Sequence, residues 1–291
     1  MPISYEETRV HTADGFEVGL FRSPAARPIP GARPVLFLHG ANANRYSFGV
    51  HRHSSLPTLV NDAGRDAWLL EFRGSASSRW RGSGRPPVDL DTKVRHDLPA
   101  AVEHLLGVSR AERLDLVGHS LGGLLAYAYA GAAGRERVGR LATVATPASF
   151  RHLLGRLTPW VARPARVLAP VVDRLPTATL SRFARVRGPV GHLALMRRHV
   201  SPGTTDPETR RRYLDHGVED MATSELAQLM RWIGGHRLRN ADGDCYADRL
   251  ARVRAPALVV AIARDRIVPL ASVKEAFTRL GSPEKAFAVI G

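Results

Sequence analysis

The chain has 291 residues, 44% hydrophobic and 24% charged, close to globular averages, which excludes a disordered chain. No 18-residue apolar run occurs, the start MPISYEETRV lacks the stretches of a secretory signal, and the single Cys245 cannot form an internal disulfide, so a soluble cytoplasmic protein is expected. The formal charge of +15 comes from arginine, only Lys93, Lys274 and Lys285 being lysines among 42 basic residues; with no zinc-finger spacing, RNP-like strand or helix-turn-helix beside it, this bias implies no nucleic-acid partner.

Residues 5–22 alternate around Asp14-Gly15, a dipeptide that favours a tight turn, and predict two antiparallel strands. After a Pro-rich link, PVLFLHG at 34–40 is a short apolar run ended by glycine, as in a central parallel strand covered on both faces. The same signal recurs at 67–72, 114–117, 141–145, 257–263 and 286–290. Helices are predicted between these strands at 56–61, at 92–106 and at 121–130, where Leu121, Leu124, Leu125 and Ala128 share one stripe. Such alternation implies an α/β fold: a mostly parallel sheet with helices on both faces.

The alternation breaks between Pro147 and Pro256, a gap far longer than a crossover needs. Eight of the 20 prolines fall between Pro147 and Pro207 and cut that stretch into short helices, whereas Leu226, Leu229, Met230 and Ile233 repeat at helical spacing. The expected organisation is an α/β core of residues 1–147 and 256–291 with a helical cap, or lid, of residues 148–255 inserted over the sheet.

Gly118-His119-Ser120-Leu121-Gly122 lies between a predicted strand and a predicted helix, the setting of a nucleophile elbow. The turn is sharp, so the positions two before and two after the serine must be nearly free of side chain, and both are glycine. The elbow puts the Leu121 N–H at a helix N-terminus, where an unpaired donor can meet a developing oxyanion. A second donor is expected from the loop after PVLFLHG, with the Ala41 N–H as the candidate. His39 reads as a residue holding that loop rather than as a proton carrier.

With these residues the chain resembles the α/β-hydrolase superfamily, and within it the acid-lipase and polyester-esterase branches. The resemblance rests on LFLHG at 36–40, AGRDAWLLEFRGSASSR at 63–79, HDLPAAVEHLL at 96–106, GHSLGG at 118–123 and ALVVAIARDRIVP at 257–269. Polyester synthases usually carry cysteine at the elbow, so Ser120 favours hydrolysis. The resemblance implies a catalytic acid in a loop after a later strand; Asp265 fits, while Asp242, Asp244 and Asp248 precede that strand, and Asp97 is explained by the start of a helix. No metal or other cofactor is expected: there is no HExxH, zinc-spaced Cys/His cluster, GxGxxG turn or GxxxxGK[ST] loop.

The superfamily order is serine, acid, histidine, yet the last of the 12 histidines is His236, upstream of Asp265. A chain cut short after Gly291 and a silent relative both account for this, the first being favoured because the rest of the catalytic frame is present. Three readings follow: a serine hydrolase of lipid-like or other small carboxylic esters, an acyltransferase on the same fold, and a catalytically silent module that binds acyl chains or a partner. Residues 151–212 carry 13 arginines against Asp173, Asp206 and Glu208, with Leu153, Leu154, Leu157 and Trp160 among them, so contact with an anionic membrane surface is a further expectation.

Overall fold

The computed structural model describes residues 4–51, 55–84, 86–150, 172–179, 182, 205–235, 239–240, 242–265 and 267–291. The chain opens with strands β1 (Glu6–His11) and β2 (Phe16–Ser23), paired antiparallel as expected. Their turn is closed by Thr12, whose hydroxyl lies 3.0 Å from the Phe16 N–H, and by Gly15 at φ 94°.

Strands β3 (Val35–Leu38), β4 (Ala67–Glu71), a short β5 (Arg79–Trp80), β6 (Leu114–His119), β7 (Val138–Val144), β10 (Ala257–Ile262) and β11 (Lys285–Ile290) complete this sheet. A separate two-stranded pair joins β8 (Arg174–Leu175) to β9 (Met221–Ala222). The main order is β1-β2-β4-β3-β6-β7-β10-β11, parallel from β4 onward, with β5 pairing β2. The expected mostly parallel sheet is present. β3 and β4 are buried along their whole length, which is why their sequences are apolar without alternation. At the far side Leu258, Val289 and Ile290 are exposed.

Helices α1 (Leu56–Asp62), α2 (Leu98–Ser109) and α3 (Leu121–Ala130) fill the crossovers. The sequence marks one apolar stripe on α3, yet all of its residues are buried. The reason is a second neighbour. Tyr246, Leu250 and Val253, around the short α6 (Tyr246–Arg249), share its core with Met230, Trp232 and Ile233 of α5 (Thr223–Gly235). Residues between β7 and β10 thus join the hydrophobic core of the sheet. α4 (Pro207–His216), capped by Asp206, and α7 (Leu270–Arg279) complete the longer helices described here. Residues 151–171, with Leu153, Leu154, Leu157 and Trp160, lie outside the described residues.

The helix expected at 92–106 departs from its sequence pattern. Its first part, Lys93–Asp97, is a π turn, and Asp97 makes no cap hydrogen bond. The helix-start explanation of Asp97 is therefore corrected: its side chain is fully buried against that of Arg73, which is also fully buried. Arg73 donates to Asp97 Oδ1 at 2.7 and 2.8 Å and to Asp14 at 2.7 and 2.9 Å, and its backbone N–H reaches Asp97 Oδ2 at 2.9 Å. Burying these charges is compensated only while the whole set stays together. Arg73→Met should cost about 3–5 kcal/mol in urea unfolding, the scale for orphaning a buried partner. Arg73→Met with Asp97→Leu should be more stable than Arg73→Met alone.

Candidate active site

In this sheet β3 is followed by β4 on one side and β6 by β7 on the other, so the connections diverge between β3 and β6. Open α/β sheets bind ligands beyond the carboxyl ends of their strands at such a divergence. Strain gathers at the same edge. Asn42 after β3, Ser120 after β6 and Ala145 after β7 have φ of 57°, 51° and 48°, left-handed values unusual for residues with a side chain.

Ser120 takes φ 51° and ψ −117° because the helix after β6 starts almost in contact with the strand backbone. A Cβ on Gly122 would lie 2.1 Å from the Leu38 carbonyl oxygen, and one on Gly118 2.5 Å from the Gly123 Cα. The two glycines singled out by the sequence are thus required by space. Ser120 is half-buried, and its N–H donates to Val144 O at 2.9 Å. Among the described residues its hydroxyl has no hydrogen-bond partner. His119, one residue earlier at the end of β6, is also half-buried.

In the β3–β6 register Leu38 faces Gly118, which puts the His39-Gly40-Ala41 loop beside the elbow. A Cβ on Gly40 would be 3.3 Å from the Ser120 Cβ. The N–H groups of Leu121 and Ala41 have no acceptor among the described residues. Ser120 and the two expected donors are brought together.

His39 is buried, with Nδ1 2.8 Å from Gly40 O and Nε2 3.5 Å from the Phe72 N–H. These contacts fit one neutral tautomer, Nδ1 donating and Nε2 accepting. Burial holds its pKa down to about 4. The buried Lys93, paired to Glu225 at 2.6 Å, adds to this, while the Gly40 contact opposes it.

Asp265 follows β10, two strands from β6 and roughly 10 Å across the sheet at the usual strand spacing. Its Oδ1 accepts the N–H groups of Ile267 and Val268 at 2.7 and 2.9 Å, and Oδ2 has no partner among the described residues. The loop aspartates before β10 are exposed and paired elsewhere: Asp242 with Arg95, Asp244 with Arg249 and Asp248 with Arg279. Among the described residues no histidine lies within ion-pair distance of Asp265, no cluster suited to a metal occurs, and no helix is long and apolar enough to cross a membrane. His236 lies outside the described residues.

No local pattern in the sequence marks the groups beneath the His39 loop. Lys93 and Glu225 look like surface residues in sequence, and Asn44 and Glu219 belong to no motif. Of the Arg-rich stretch, Arg174 donates to Gly74 O at 2.9 Å and Arg212 pairs with Glu208 at 2.8 Å.

Residues 33–291 match the family model described as the alpha/beta hydrolase fold. The chain belongs to that family. Human lipase member K is 35% identical over 135 residues, 42% of this chain and 34% of its own length. Human lysosomal acid lipase/cholesteryl ester hydrolase is 34% identical over 128 residues, 40% of this chain and 32% of its own. The match spans about a third of these relatives. Among solved structures, a monoacylglycerol lipase from Paleococcus ferrophilus superposes with TM-score 0.59 at 18% identity, covering 93% of this chain and 88% of its own. An esterase from Exiguobacterium antarcticum gives 0.61 at 14%, covering 98% and 91%. At such identities these two show a shared fold.

His39 should stay neutral above about pH 5, so its ring protons should not titrate between pH 5 and 8 by NMR. Because its folded pKa lies below the unfolded value, the stability it contributes is present above about pH 6.5 and is lost as pH falls toward 4. A midpoint near 6.5 would make His39 a candidate proton carrier.

Proposed function

We propose that this α/β hydrolase is a serine hydrolase of carboxylic esters, working through an acyl-serine intermediate. The observation that carries the reading is Ser120, held at φ 51° on the elbow beside the loop of Ala41, with the N–H groups of Leu121 and Ala41 free of any acceptor among the described residues. Its hydroxyl oxygen attacks the acyl carbonyl, whose oxygen takes up the displaced electron pair and is stabilised by those amides. Collapse forms the acyl-serine ester and breaks the bond to the alcohol, which leaves with a proton; water then repeats the sequence and releases the acid. Asp265, fixed through Oδ1, serves to orient and stabilise a protonated base. Among the described residues no hydrogen bond joins a base to the Ser120 hydroxyl, so no residue is assigned to that role. The likeness to lipases and esterases supports ester or lipid substrates.

A fluorophosphonate probe located by mass spectrometry tests the reading. Ser120 should be labelled stoichiometrically, and Ser120→Ala should lose both label and p-nitrophenyl ester turnover while its folding midpoint stays nearly unchanged. Full esterase activity in Ser120→Ala would remove the nucleophile assignment. A folded chain whose Ser120 resists the probe would favour a silent binding module.

The arginine excess of residues 151–212 supports action at an anionic surface. Binding to phosphatidylserine-containing vesicles should be strong at low salt and fade at molar salt. Failure to bind at low salt, or binding that molar salt leaves undiminished, would overturn it.

A further inference from the structure

We infer that Glu219 is a positioning residue for the oxyanion loop, tying residues 42–44 to the segment between β7 and β10 so that this segment sets where the Ala41 N–H points. The inference rests on the ester-hydrolase reading, which gives that N–H its task, but the tie is visible independently of it.

Ala41 carries no hydrogen bond of its own to a described residue through its N–H, so neighbouring residues must hold it. Asn42, next in the chain, sits at φ 57°, a left-handed conformation that asparagine tolerates but that needs support from its surroundings. That support comes from the segment between β7 and β10. Ala43 bridges to Val218 in antiparallel fashion, and Asn42 O accepts the Glu219 N–H at 3.2 Å. The Thr177 hydroxyl lies 2.6 Å from Asn42 Oδ1 and 2.7 Å from Glu219 O.

The Glu219 side chain closes the arrangement. Oε1 accepts from Asn44 Nδ2 at 2.8 Å and Oε2 accepts the Ala76 N–H at 3.2 Å. Asn44 is buried and fully used, its Nδ2 also donating to His216 O at 2.7 Å and its Oδ1 accepting the Tyr46 N–H at 3.1 Å. One carboxylate therefore joins the loop after β3 to the loop after β4 from a residue outside the main sheet.

The same segment is anchored elsewhere without Glu219. Lys93 pairs with Glu225 at 2.6 Å, the Leu90 N–H reaches Gln228 Oε1 at 2.7 Å, and Ser224 Oγ donates to Val88 O at 2.6 Å. Removing the Glu219 carboxylate cuts its bonds to Asn44 and Ala76 while the backbone ties at Asn42 and Ala43 remain, so it should loosen the loop and leave α5 in place. A donor displaced by about an ångström forfeits much of its transition-state stabilisation, whereas substrate binding, which does not use it fully, is spared.

The test uses the full chain and two readouts. In Glu219→Ala, amide hydrogen exchange at residues 41–45 should speed up at least tenfold, with β6 and α5 unchanged. Ser120 phosphonylation and kcat for p-nitrophenyl butyrate should fall about 10- to 100-fold with KM within twofold, the scale of a misplaced oxyanion donor. Glu219→Gln keeps one acceptor and should fall between wild type and alanine. Unchanged exchange at 41–45 would overturn the tie, and faster exchange with unchanged labelling and kcat would overturn its role in positioning. A raised KM at constant kcat would make Glu219 a substrate contact instead. If wild-type Ser120 resists the phosphonate, the ester-hydrolase reading fails and takes the catalytic consequence with it, while the exchange data still show whether the tie exists.

Discussion

The approach of α3 to the β3 backbone is the constraint on which the rest of the site depends. With the Leu38 carbonyl oxygen 2.1 Å from where a Gly122 Cβ would stand, nothing larger than glycine fits at the second position of this helix. The chain must leave β6 at His119 and enter α3 within a single residue. That residue, Ser120, takes the strained conformation that points it out of the packed turn. The same step leaves the Leu121 N–H at the helix start without an intrahelical acceptor, as any helix must. The proposed nucleophile and donor are thus products of one packing contact.

Around this contact the protein buries charge where apolar packing would serve stability equally well. Arg73 with Asp14 and Asp97, Arg45 with Glu71 at 2.5 Å, and Lys93 with Glu225 all lie near the loops that follow β3 and β4. Buried pairs of this kind contribute little net stability, because desolvation offsets most of the attraction. What they supply is geometry: each charge tolerates few alternative positions. The Arg45 guanidinium also lies 4.0 Å from the centre of the Phe21 ring, tying the loop after β3 to the opening hairpin. A loop that must present one N–H to a reacting carbonyl needs such over-determination.

How much of this was legible in the sequence follows from the range of each interaction. The strands from β3 onward announce themselves because a strand buried on both faces must be apolar throughout. GHSLGG reveals the elbow because its steric requirement is met within five residues. Lys93, Asp97 and Glu225 were opaque for the opposite reason. A buried ion has its partner 24 residues away, as Asp97 has in Arg73, or 132 away, as Lys93 has in Glu225, and no local pattern separates it from a solvated one. The uniform burial of α3 was hidden likewise, since its second apolar neighbour comes from around residue 250.

The site therefore divides into parts with different physical origins. On the proposed reading, Ser120 and its two donors are placed by backbone geometry, and the elbow itself calls for no titratable group. The proton transfer needs one. An oxyanion hole with bound substrate still accelerates hydrolysis by roughly 10³–10⁴ over water when a triad member is removed, so the two contributions are separable in size as well as in structure. Membership of the alpha/beta hydrolase family shows the frame for both, but fold sets neither substrate nor rate. Backbone-derived stabilisation is built by the same contacts that let the chain fold at all. The shape of the elbow therefore rests on Gly118, Gly122 and the β3–β6 register, whatever becomes of the base, and the proposed activity at Ser120 depends on proton transfer as well as on that architecture.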